Sequence, residues 1–160
     1  QTSYQTWDEF RVDLGSLLQE RPFSDRDHGT ILYTELASNF EELEQADAML
    51  EHFIAQQRHG YSTARQERRI HELNTESALH TAIRGLRAND RTLSIAQARI
   101  RAVAESPEQS QRLIQIKNRI LACEETLKTM MEYRGLIANK RWTVRNIGEM
   151  WKIEREKEPV

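Results

Sequence analysis

Apolar residues recur along most of this chain at alternating spacings of three and four, the period of a narrow helical seam rather than of a strand. One run reads Leu32, Leu36, Asn39, Leu43, Ala46, Leu50 and Phe53, with Phe40 and Ile54 widening the face. A second reads Leu79, Ala82, Leu86, Asn89, Leu93, Ala96, Ile100 and Val103. A third reads Leu113, Ile116, Ile120, Cys123, Leu127 and Met130, falters at Arg134 and Lys140, and resumes with Ile137, Val144, Ile147 and Trp151. Seams of this kind bury against partner helices in the manner of a coiled coil. Each of the first two holds one asparagine, which sets register if it is buried and is merely solvated if it lies at the edge of a wide face; the second reading is preferred.

Boundary residues divide the seams into helices. Thr6-Trp7-Asp8-Glu9 is a capping box that opens a first helix over about 7–19, closed before Arg21-Pro22 because a residue preceding proline is pushed out of the α region. Ser24 with Asp25 and Asp27 opens a second over about 25–58, and Gly60 after Arg58-His59 reads as its stop. Ser62 then caps a third over about 63–105. Ser106-Pro107-Glu108-Gln109 joins an N-cap serine, a proline at the first helical position and a completed box, and opens a fourth over about 107–155. At 1.5 Å per residue the long helices reach roughly 50, 65 and 70 Å. The expected fold is all-α: one helical domain over 1–160, an elongated antiparallel, coiled-coil-like bundle of three long helices plus a short N-terminal helix. Six glycines and three prolines are too few for the turns of an all-β chain.

Charge changes this picture because it is segregated. Residues 1–57 carry 12 acidic groups against Arg11, Arg21 and Arg26, a net of −9, and residues 58–160 carry a net of +7, which together give the −2 of the whole chain. Such asymmetry implies pairing of the halves, within or between copies, or a charged partner. Arg84, Arg87 and Arg91 share one helix face, with Arg65, Arg68 and Arg69 earlier, and Arg134, Arg141, Arg145 and Lys152 form a second stripe. Two such stripes can follow a phosphate backbone, with Tyr133 and Trp142 placed to stack on bases. The acidic second helix offers the alternative of interhelical pairing, which is preferred here.

Candidate chemistry is sparse. The five histidines are scattered, with no pair at metal-binding helical spacing. Asp25, Asp27 and His28 fall at a helix start where acids are ordinary, and Cys123 lies on an apolar seam as a small core residue. Phosphate-binding glycine loops and nucleophile elbows are lacking, so the sequence points to a non-enzymatic protein with no cofactor and no bound metal. The lone cysteine forbids an internal disulfide, and neither a membrane-spanning run nor a signal-peptide pattern is present, so a soluble intracellular protein is expected, cytoplasmic or within a larger assembly.

What remains is surplus apolar surface. The first helix carries Trp7, Phe10 and Leu14, and the far end of the fourth presents Leu136, Trp142, Met150 and Trp151, more than one antiparallel neighbour covers. These are the expected contacts of an assembly or scaffold protein that joins itself as a homo-oligomer, or another helical protein. A nucleic-acid-binding or coat-like role through the arginine stripes is the alternative.

Overall fold

The computed structural model describes residues 6–19 and 30–157. The described chain is 94% helix with no strand, in the order α1 (Trp7–Gln19), α2 (Thr30–Asn89), α3 (Ile95–Ala104) and α4 (Pro107–Lys157). The stop at Arg21-Pro22, the cap at Ser24 with Asp25, Asp27 and His28, and the side chains of Leu32 and Leu36 lie outside the described residues.

Two of the expected boundaries change. The helix expected to stop near Gly60 continues unbroken for 60 residues to Asn89, and no glycine among the described residues has positive φ. A mid-helix glycine costs only about 1 kcal/mol, whereas stopping there would forfeit the seam on both sides of it. Phe53 and Ile54 before Gly60, and Ala64 after it, are all buried. The helix expected over 63–105 instead breaks at 90–94, so the long helices number two rather than three. Asp90 Oδ1 accepts from the backbone N–H and the hydroxyl of Thr92, a local turn that competes with helical bonding. Ser94 then opens α3 with a complete capping box: its hydroxyl accepts from Gln97 N at 3.1 Å and the Gln97 amide oxygen accepts from Ser94 N at 3.2 Å.

The chain divides into two compact units, residues 1–56 with 127–160, and residues 57–126. In the first, α1, the early part of α2 and the late part of α4 enclose Phe10, Leu14, Leu50, Phe53, Ile54, Met130 and Ile137, and a neighbouring cluster joins Leu43, Val144 and Trp151. Burying each such side chain contributes about 1.5–3 kcal/mol. Trp7 sits edge-on to Phe53 and Tyr133, with ring centroids 6.0 Å apart in each pair, and Phe10 stacks on Phe53 at 5.4 Å. Thr6 Oγ1 accepts from Glu9 N at the start of α1, and Lys140 of α4 donates to the Leu17 carbonyl in its last turn. Asn39 is half-buried, and its Oδ1 has no hydrogen-bond partner. Asn89, in the other seam, is exposed.

In the second unit, α2 packs on α4 through Ala64 against Ile116 and Ile120, with Tyr61 alongside, and on α3 through Ile83 and Leu93 against Ala98 and Ala102. Tyr61 donates to Glu124, Arg119 to Glu67, and His71 meets the Gln109 carbonyl. Partners that rise in number along α2 fall along α4, so the two helices run in opposite directions within this unit.

The continuous α2 predicts that Gly60→Ala stabilises the protein by about 0.5–1 kcal/mol, because a Cβ there meets nothing within 4 Å. Urea unfolding measures it, and a lowered midpoint would mean that glycine is needed to end a helix. The Asp90 turn predicts a pH effect. Hydrogen bonds from Thr92, the largest cause, with the nearby Arg101 charge hold the Asp90 carboxyl below the ordinary aspartate range. A depressed folded value means that the turn's contribution is present above the unfolded aspartate's pKa and is lost as pH falls through the folded one. Carboxyl titration by NMR should place Asp90 below the exposed aspartates, with Thr92 amide protection fading over the same acid range; an ordinary value would remove this role.

Candidate functional site

The two residue sets singled out by sequence meet different fates in the structure. Of the apolar set, Phe10, Leu14 and Trp151 are buried at 3%, 1% and 4% exposure, and Trp7 is half-buried against Phe53 and Tyr133. These four are internal packing residues, which corrects their assignment as contacts for other chains. The sequence could not show that α1 folds onto α2 and α4 of its own chain, since a short amphipathic helix reads the same whether it docks in cis or in trans. Leu136, Trp142 and Met150 remain outside at 51%, 67% and 53% exposure. They are joined by Met131 and Ile153, at 42% and 52%, which the sequence reading left aside.

Helical geometry orders these residues. The buried row of α4 in the first unit is Met130, Ile137, Val144 and Trp151, each seven residues from the next. Met131, Trp142 and Ile153 are eleven residues apart, about three full turns, so they form a line along α4. Leu136 and Met150, two heptads apart, form a second line beside it on the outer side. The five exposed apolar side chains are thus spread over about six turns of the outer side of α4, from Met131 to Ile153, with the exposed polar residues Asn139 and Glu149 among them.

The arginine set divides too. Arg134 Nε lies 2.8 Å from Glu51 Oε1, and Arg141 reaches Glu44 and Asp47 at 3.4 Å each while its guanidinium lies over the Phe40 ring, 5.5 Å from the centroid. Arg145 pairs with Glu149 one turn on, at 3.6 Å, where both side chains are well exposed. The α4 stripe is thus largely occupied by carboxylates, and the faltering of its seam is explained: Arg134 and Arg141 reach across to acids of α2, and Lys140 serves the end of α1. Lys152 is exposed. Tyr133, read as a base-stacking partner, is held against Trp7.

Arg84 and Arg87 are exposed on α2, and Arg91 is exposed in the turn after it rather than on the helix face assigned to it. None of the three has an ion-pair partner among the described residues. Earlier on α2, Arg68 pairs with Glu72 at 3.0 Å and Arg65 lies over Tyr61.

No group of three or more His, Cys, Asp or Glu among the described residues is placed to hold a metal ion. Cys123 is half-buried. One open groove of about 470 Å³ runs beside α1, lined by Asp8, Arg11, Val12, Gly15, Ser16 and Gln19 with Tyr133 of α4. It holds no paired acid and base and no nucleophile with a base beside it, the arrangements that would suit general acid–base or covalent chemistry. No described helix is long and apolar enough to cross a membrane. Comparison with protein-family models, curated proteins and solved structures finds no match.

The two kinds of arginine on α4 predict unequal costs. Arg141→Ala leaves Glu44 and the part-buried Asp47 unpaired and uncovers Phe40, so it should lower stability by about 1 kcal/mol, more at low than at high salt. Arg145→Ala should fall within about 0.5 kcal/mol of the parent. A double-mutant cycle with Asp47→Ala measures the coupling, and zero coupling would show that the pair contributes nothing to the fold.

Proposed function

We propose that this chain is a non-enzymatic helical scaffold or assembly protein that acts through protein–protein contacts, joining copies of itself or another helical protein. In this reading α2 and α4 form a coiled-coil-like antiparallel bundle with α1, and the outer side of α4 is the contact surface. The observation that carries it is the set of large apolar side chains on the outer side of α4, Met131, Leu136, Trp142, Met150 and Ile153, all more than 40% exposed. Soluble proteins rarely leave a row of large apolar side chains, an indole among them, facing water unless something covers it. Helices present such rows to other helices.

The alternative, a nucleic-acid-binding or coat-like role, draws its support from Arg84, Arg87, Arg91 and Lys152. It loses support where Arg134, Arg141 and Arg145 are engaged by carboxylates. The chain also has no aromatic residue between Tyr61 and Tyr133 to stack a base beside the free arginines.

Two tryptophans nine residues apart test the scaffold reading. Trp142→Ala should leave stability within about 0.5 kcal/mol of the parent and lower the molar mass measured by light scattering toward 18.8 kDa. Trp151→Ala removes a buried side chain and should cost about 3 kcal/mol or more, a loss seen in the unfolding midpoint. A parent that stays monomeric at high concentration, or a Trp142→Ala variant that assembles like the parent, would overturn the reading.

A further inference from the structure

Residues 57–126 hold 12 basic groups against eight acidic ones, a net of +4, and the rest of the chain is −6. The positive excess is concentrated where α2 gives way to α3. Between positions 84 and 101 there are five arginines and one acid, Asp90, whose carboxylate is engaged by Thr92; Arg99 pairs with Glu76 of α2 at 3.5 Å, and Arg84, Arg87 and Arg91 have no ion-pair partner among the described residues. Arg87 lies about 40° round the helix from the buried Ile83, at the edge of the α2–α3 contact, and Arg84 about 100° from it on the same side. On α3, Ala98 and Ala102 face that contact, while Ile100 and Val103 point away from it at 72% and 46% exposure. This corner is cationic and apolar at once. A duplex phosphate backbone would satisfy the arginines and leave Ile100 and Val103 in water. The complementary partner is an acidic surface with an apolar centre.

The chain carries such a surface itself. On α1, Val12 is 70% exposed and flanked by Asp8 and Asp13, and neither aspartate has an ion-pair partner among the described residues. Beside Val12 lies the open groove lined by Asp8, Gly15 and Tyr133, with Arg11 as its one cation, where Gly15 leaves room because nothing lies within 4 Å of its missing Cβ. We propose that the α2–α3 corner of one copy docks on the outer face of α1 of a second copy, with Ile100 and Val103 against Val12 and the groove, and Arg84, Arg87 and Arg91 against Asp8 and Asp13. Different patches meet on the two copies, so each copy retains one free patch of each kind, and the contact propagates into a chain or closes into a ring. It does not depend on the α4 surface.

Crosslinking between two distinguishable chains tests it. Both carry Cys123→Ser; one adds Val12→Cys and the other Val103→Cys, and the mixture is treated with a short bismaleimide. The mixed product should exceed either like-with-like product about tenfold and fall several-fold between roughly 50 and 200 mM salt, because exposed charges are screened. Arg84→Glu with Arg87→Glu in the Val103→Cys chain should abolish the mixed product, and Asp8→Lys with Asp13→Lys in its partner should restore it. The same result in a Trp142→Ala background separates this contact from the α4 surface. Mixed product no more abundant than the like-with-like products, failure of the reversed pair to rescue, or loss of the product in the Trp142→Ala background would each overturn the proposal. So would salt-sensitive binding of a duplex oligonucleotide through Arg84 and Arg87 in chains that give no mixed product.

Discussion

Four side chains on α4, Met130, Ile137, Val144 and Trp151, carry the first unit. All are less than 5% exposed, and their seven-residue spacing keeps one edge of the helix against α1 and α2 for about six turns. Each lies opposite an apolar group on the other helices: Met130 and Ile137 with Leu50, Phe53 and Leu14, and Val144 and Trp151 with Leu43. The polar contacts of the unit follow from this row. Arg134 and Arg141 lie at positions between its members, too near the edge to be buried and near enough to α2 to meet Glu51, Glu44 and Asp47. Such pairs contribute little energy one by one, in the range of about 0.2–1 kcal/mol. They add specificity, since a shift of α4 by one turn would set guanidinium against apolar side chains.

The helical character and the seams were legible in the sequence because a three-four period has no other physical reading over so many residues. The helix starts at Thr6-Trp7 and Ser106-Pro107 were legible for the same reason, each being marked by a local chemical signal tied to one backbone position. Gly60 misled because glycine marks a helix end only when the chain needs a left-handed residue there. In α2 the seam continues through it to Ala64, and packing on Ile116 and Ile120 outweighs a weak propensity. The turn at 90–94 was hidden for the opposite reason. The apolar spacing runs through it in phase, from Leu86 to Leu93 and Ile100, although Asn89-Asp90 and the Ser94–Gln97 box were there to be read. Periodicity alone does not tell a helix from a helix, turn and helix whose apolar residues stay in step.

Which apolar residues stay exposed was legible only in part, and the division has a physical cause. Amphipathic pattern says that a side chain needs cover and leaves open which chain supplies it. Phe10, Leu14 and Trp151 find cover within their own unit, while Trp142, two turns or so before Trp151, faces the other way. The difference is angular: nine residues on an α-helix amount to half a turn beyond two whole ones, so two tryptophans in one stretch of sequence cannot both face the core.

The arginines follow a related rule, set by what stands opposite. Most acidic residues of α2 fall in its early part, and the antiparallel course of α4 within the same unit brings Arg134 and Arg141 alongside them. At the α2–α3 corner the neighbouring element is α3, whose sequence IAQARIRAVA contains no acid. There Arg99 pairs with Glu76 of α2 at 3.5 Å and Asp90 is spent on holding a turn, which leaves Arg84, Arg87 and Arg91 without an ion-pair partner among the described residues. The segregation of charge along the chain therefore has two structural outcomes: neutralised pairs where opposite charges are brought together, and an unneutralised surface where they are not. Coulomb repulsion at such a corner is tolerated in water and screened by salt. It is relieved more fully by any partner that brings carboxylates, and the apolar groups beside it restrict that partner to one with a matching apolar face.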